Sequence, residues 1–191
     1  QLRARSQRRF TSMNWQEFNK KLMELDYSEK DREFISHAFV FAQKAHEGQK
    51  RLSGEAYFEH SLSVAYILAG LHMDSETIAA ALLHDVLEDT DTKPEAISRE
   101  FGEEVYALVE GVTKKVALKT SEEDRAENIR KLLLATIKDI RVILIKIADR
   151  LHNMRTLKHL PQQQQREIAK ETLEIYVPIA YKLGMYRMKS E

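Results

Sequence analysis

The sequence predicts a single domain of the all-α class, and three observations predict it. Only 6 Gly and 3 Pro stand among 191 residues, too few turn formers for a chain of many short strands. Apolar residues recur at the three-to-four-residue spacing of helices over long stretches. The length is enough for one domain with an ample core, and neither an internal repeat nor a composition break marks a second.

Each element has its own reason. Residues 1–12 carry Arg3, Arg5, Arg8 and Arg9 with little apolar content. Segment 1–13 is therefore read as a basic tail or a vector remnant, with Met13 as a natural start, and 14–191 as the domain. Helices are expected over 14–26 and 29–47, the second capped by Ser28 and ended by Gly48. A polar loop follows over 49–57, containing Gly54. The next helix covers 59–69 and stops at Gly70. Asp74 or Ser75 caps the helix that carries His84 and Asp85. Residues 89–93 break it, and Pro94 suits the first turn of another, with 97–109 helical apart from a break at Gly102. Segment 114–128 is highly charged and weakly apolar, and is expected to be a loop or lid. Helices over 129–138 and 141–157 follow. The second holds the run Val142 to Ala148, apolar enough for a central helix. Pro161 with the glutamines at 162–165 reads as a surface turn. A last helix spans 166–183, kinked near Pro178.

Composition narrows the function classes. Lys and Arg number 30 and so do Asp and Glu, so net charge suggests no nucleic-acid partner. No apolar run approaches the roughly 20 residues of a membrane span, and no secretory signal is visible. There is no cysteine, which excludes disulfides and thiolate metal sites and is compatible with a reducing cytoplasm.

The chemistry concentrates at His84, Asp85, Glu88 and Asp89. On one continuous helix these four share an arc with Ala80 and Ala81, while Ala79, Leu82, Leu83, Val86 and Leu87 face a core. The two alanines would leave room above the cluster. Three carboxylates beside an imidazole repel one another unless a cation sits among them, so a divalent metal is expected. A second helix must contribute. His60 opens an apolar helix, and Asp149 ends the most apolar stretch, where an unpartnered carboxylate is costly. The expected ligands are His60, His84, Asp85 and Asp149, a set suited to Mn, Fe, Zn or Mg-like ions. Glu88 and Asp89 would orient water or act as acid and base. Asn153 and Thr156 lie on the face of Asp149. The dull alternatives are a helix-end His60, a solvated Glu88-Asp89 pair, and Asp149 paired with Lys146 or Arg150. His37, His46, His72, His152 and His159 are read as structural.

Three segments together carry a resemblance: 48–60 (Gly-Gln-Lys-Arg-Leu-Ser-Gly-Glu-Ala-Tyr-Phe-Glu-His), 83–90 (Leu-His-Asp-Val-Leu-Glu-Asp-Thr) and 139–160, with Ile-Ala-Asp-Arg-Leu-His-Asn-Met-Arg-Thr-Leu at its centre. The chain resembles the hydrolase domain of the RelA/SpoT homologues, the stringent-response (p)ppGpp synthetase/hydrolase family within the HD-domain phosphohydrolases. The resemblance implies an HD-type helical fold in which His60, His84, Asp85 and Asp149 hold Mn2+ and Glu88 and Asp89 are the catalytic pair. It implies that Arg51 lies on the guanine base, with Ser53, Asn153 and Thr156 lining the nucleotide pocket. It also implies hydrolysis of the 3′-diphosphate of ppGpp or pppGpp to pyrophosphate and GDP or GTP. Leu52 departs from the pattern where Lys commonly follows the Arg, and Ala56 and Ser61 depart where Pro is common. The first bears on substrate binding, the others on the stiffness of the loop carrying Arg51. Segment 174–191 resembles the lead-in to a synthetase domain, so a piece of a longer bifunctional enzyme is expected over a stand-alone hydrolase. The competing readings are a related nucleotide phosphatase acting on a substrate such as NADPH, and a nucleotide-sensing domain with poor turnover.

Overall fold

The computed structural model describes residues 14–51, 54, 56–113 and 122–190, without the side chains of 122–125, 187 and 189. The basic tail, Leu52, Ser53 and the 114–121 part of the charged segment lie outside these residues. Among the described residues every regular element is a helix, and a lone antiparallel bridge joins Lys50 to Ala56.

Helix α1 (Trp15–Glu24) starts where the Asn14 side chain accepts the Glu17 N–H, and α2 (Glu29–Ala45) where Ser28 accepts that of Asp31. Helix α3 (Tyr57–Ala69) follows the loop closed by the Lys50–Ala56 bridge. Asp74, rather than Ser75, caps α4 (Ser75–Leu83), its carboxylate accepting the Thr77 N–H. A single turn, α5 (Val86–Asp89), precedes α6 (Pro94–Val112). Pro94 lies in the first turn of α6, and Gly102 kinks it at φ 86°, a conformation a Cβ disfavours. Then come α7 (Glu122–Lys138), α8 (Arg141–Arg155), a 3₁₀ turn (Leu157–His159) and α9 (Gln162–Glu171). A π-helical turn (Thr172–Tyr176), α10 (Val177–Lys182) and α11 (Tyr186–Ser190) end the chain.

Three expectations of secondary structure are corrected. The helix carrying His84 is not continuous through Asp89: it ends at Leu83, and residues 84 and 85 form a turn. The described end of the charged segment, 122–128, is helical rather than loop. Its Glu, Arg and Ala residues are good helix formers, and acidic residues at a helix start complement the dipole. The glutamine run begins α9 at once after Pro161 instead of forming a turn. The expected break near Pro178 is present, as a π-helical turn just before it. Proline cannot donate to the carbonyl four residues back and its ring crowds that carbonyl, and the preceding turn widens.

Helix α4, rather than α8, is the one enclosed all round. Ile78, Ala79, Ala80, Ala81, Leu82 and Leu83 are fully buried, with α2, α3, α6 and α8 packed about them. Ala80 and Ala81 thus do not leave space above a site; their small side chains let neighbouring helices close in. Helix α8 packs on α3 and α6, and a Cβ on Gly111 of α6 would lie 2.8 Å from Val142 Cγ2 of α8. Dense packing of α3, α4 and α8 brings residues near 60, 84 and 149 together.

Candidate metal centre

Three helix segments meet with polar side chains buried between them. His60 lies one turn into α3, His84 follows the last residue of α4, and Asp149 lies on α8. All three are buried, and one potential ligand atom from each falls within 4.8 Å of the others. His60 Nε2 lies 3.1 Å from Asp149 Oδ1, and His84 Nε2 lies 4.0 Å from the same oxygen. Asp85 is outside that three-residue group, but its two oxygens address the two imidazoles: Oδ1 at 3.2 Å from His84 Nε2 and Oδ2 at 3.8 Å from His60 Nε2.

The turn at 84–85 has a local cause. His84 Nδ1 donates to the Ala81 carbonyl at 2.8 Å, satisfying a backbone group that a helix end leaves open. That bond places a proton on Nδ1, so in the neutral ring Nε2 is a lone pair. Nε2 is buried and has no hydrogen-bond partner, and it faces carboxylate oxygens. A lone pair buried against carboxylates is repelled unless a positive charge lies between them, so the donor set fits a divalent cation.

The electrostatics agree. Burial alone would lower the His84 pKa, but Asp85 and Asp149 overcome it and raise it. Burial also acts to raise both aspartates, yet Asp85 is held low by His84 and His60, and Asp149 by Lys146 and the two imidazoles. His60 is lowered, its burial outweighing the aspartates. Lys146 is buried with Nζ 3.1 Å from Asp149 Oδ2; Asp149 and Asp85 outweigh its burial and raise its pKa. The pairing of Asp149 with Lys146, set against the ligand role in the sequence, therefore coexists with the cluster. Lys146 takes Oδ2, while Oδ1 faces the imidazoles and accepts from the Asn153 amide.

The other expected residues divide. Asp89 lies at the exposed rim, where the Tyr57 hydroxyl donates to its Oδ2 at 2.5 Å and Gln49 Nε2 donates to its carbonyl at 2.7 Å. Glu88 is half-buried beside it on α5. Arg51 donates to Asn153 Oδ1 at 2.8 Å, and Asn153 Nδ2 donates to Asp149 Oδ1 at 2.6 Å, so the loop is linked to the centre. The Arg51 guanidinium sits 5.8 Å from the Tyr57 ring centre, and its other terminal nitrogen is buried without a partner. Thr156, expected at the nucleotide pocket and not among the ligands, lies at the end of the helix that carries Asp149. Its hydroxyl donates to the His152 carbonyl at 3.1 Å. Ser53 lies outside the described residues. Ala56 has φ −60°, a value proline would share, whereas Ser61 is not in the loop at all but buried within α3. A cavity of about 1010 Å³ is lined by the turn at 46–49 with Trp15, Phe39, Gln43 and Phe58, and none of the four ligand candidates lines it.

The family profile of the HD domain matches residues 38–186. The chain belongs to the HD-domain family. Among relatives, the guanosine-3′,5′-bis(diphosphate) 3′-pyrophosphohydrolase of Haemophilus influenzae is 53% identical over 154 residues, covering 80% of this chain. The bifunctional (p)ppGpp synthase/hydrolase SpoT of Escherichia coli is 51% identical over 159 residues, covering 82%. The corresponding 3′-pyrophosphohydrolase of Aquifex aeolicus is 54% identical over 159 residues, covering 83%. The chain spans 23% of the length of each of these relatives. A solved structure of a metazoan SpoT ortholog that hydrolyses ppGpp aligns with TM-score 0.63 and 29% identity, over 78% of this chain and 86% of that one.

Three residues that the sequence does not single out touch the expected site residues. The Nδ1 of His152, read as structural in the sequence, lies 2.8 Å from His60 Nδ1. The rule that selected Asn153, proximity on the helix to Asp149, also selects His152 at three residues. Tyr57, one turn before His60, and Gln49 had no signal in the sequence, because both reach Asp89 across the loop. No helix among the described residues is long and apolar enough to cross a membrane.

Proposed function

We propose that this HD domain hydrolyses the 3′-diphosphate of ppGpp or pppGpp to pyrophosphate and GDP or GTP, with Mn2+ held by His60, His84, Asp85 and Asp149. The observation that carries the reading is the co-location of an intact two-His, two-Asp cluster with a stretch about half identical to (p)ppGpp 3′-pyrophosphohydrolases. When bound, the cation supplies Lewis-acid polarisation of a phosphoryl oxygen and acidifies water.

The protein's own groups do the rest. Water attacks the phosphorus bonded to O3′, the P–O3′ bond breaks, and the pyrophosphate leaves. The proton lost by water passes to a carboxylate of the Glu88–Asp89 pair, and O3′ receives one in return. The Tyr57 hydroxyl fixes one oxygen of Asp89. Burial, Asp85 and Asp89 raise the Tyr57 pKa well above its ordinary value, so the hydroxyl stays a donor. Arg51 covers the guanine with a planar cation while Asn153 sets its direction, and Ser53 and Thr156 line the nucleotide. The guanine nucleotide is the only partner proposed, and the cytoplasm is the compartment that supplies it.

The test is incubation with labelled ppGpp, with and without Mn2+, and chromatography of the products. Metal-stimulated release of pyrophosphate is expected. Orthophosphate from NADPH without pyrophosphate from ppGpp would assign the site to a related phosphatase. Binding of ppGpp without turnover would make the chain a sensing domain.

A further inference from the structure

The two imidazoles at the back of the centre face each other in a way that the four-ligand set leaves unexplained. His60 Nδ1 and His152 Nδ1 are 2.8 Å apart, their rings tilted by 50°, and both residues are buried. At that distance one proton lies between the two nitrogens: one ring donates and the other accepts. If His152 donates, the neutral His60 carries its own proton on Nε2 and gives it to Asp149 Oδ1, 3.1 Å away, and offers no lone pair to a cation. If His60 donates, its Nε2 becomes a lone pair directed at the place where Asp149, Asp85 and His84 converge.

We infer that His152 is the positioning residue of the metal centre: by accepting the Nδ1 proton of His60 it holds His60 in the one tautomer that can ligate a cation. This deepens the proposed function and rests on its metal set. His84 needs no such partner, because the Ala81 carbonyl can only accept and fixes its tautomer unaided. Partners of this kind are worth about 10–100-fold in metal affinity when removed.

The experiment compares the wild-type chain, His152→Leu and His152→Asn, each stripped with EDTA and titrated with Mn2+ alone, free Mn2+ being read by its EPR signal. Asn places a carbonyl oxygen near the position of Nδ1 and can accept the His60 proton, whereas Leu fills similar space and cannot. Circular dichroism and urea unfolding in EDTA establish that each variant is folded. The expected result is affinity about 10–100-fold weaker for Leu and restored to within a few-fold for Asn. Leu binding as tightly as wild type, or Asn failing as badly as Leu in a folded chain, would overturn the inference while leaving the metal set intact. A folded wild type that binds no Mn2+ would overturn the metal set itself, and the inference with it.

Discussion

Replacing Lys146 by Met should destabilise the empty protein and tighten its grip on a cation, both at once. The ammonium lies 3.1 Å from Asp149 Oδ2 and is buried. At an effective dielectric of about 20, that distance corresponds to roughly 5 kcal/mol of attraction before desolvation is deducted. Removing one partner of a buried pair typically costs about 3–5 kcal/mol, because the other charge is left without compensation. Loss of about 3 kcal/mol is therefore expected in urea unfolding with EDTA present. A cation restores the missing charge, and it no longer meets a positive neighbour. If its affinity rises tenfold, saturating Mn2+ adds about 1.4 kcal/mol more to the variant than to the wild type. The assay is urea unfolding of both proteins in EDTA and in Mn2+. Equal stability of the two in EDTA, or equal stabilisation of the two by Mn2+, would refute the reasoning.

Tyr57→Phe deletes the 2.5 Å hydrogen bond to Asp89 Oδ2, a bond to a charged group worth about 1.5–3 kcal/mol. The turnover of ppGpp should fall about 10–100-fold with Mn2+ affinity unchanged; unchanged kcat would remove Tyr57 from the machinery. Gly111→Ala places a methyl where Val142 Cγ2 would be 2.8 Å away, and urea unfolding should register a loss of about 1–3 kcal/mol. Arg141 hydrogen-bonds Asp139, its carboxylate 2.6 Å away, and holds that pKa below its ordinary 3.8. A depressed carboxyl pKa stabilises the fold above the unfolded value and ceases to as pH falls through the folded one. Arg141→Leu should thus cost about 1 kcal/mol at pH 7, discounted for partial exposure, and the difference from wild type should shrink below about pH 4.

The helices were legible because their caps and breakers are local: Ser28, Asp74, Pro94 and Gly102 act within a turn of themselves. The cluster was legible because a carboxylate at the end of an apolar run, as at Asp149, needs a partner wherever the run packs. What sequence did not give was contact between distant elements. The break after Leu83 depends on the His84 ring taking the Ala81 carbonyl, which period counting does not include. The 122–128 part of α7 was hidden because a charged, weakly apolar stretch reads as loop, although a solvated helix has the same composition. The roles of Tyr57 and Gln49 exist only once the loop before α3 lies over α5.

Diffraction from crystals grown with Mn2+, recorded for its anomalous signal, tests the centre most directly. One peak is expected within bonding distance of His60 Nε2, His84 Nε2 and an oxygen of each of Asp85 and Asp149, lost in Asp85→Ala. A peak elsewhere, or none while those four side chains keep their places, would contradict a single cation held by residues from three separate stretches of the chain.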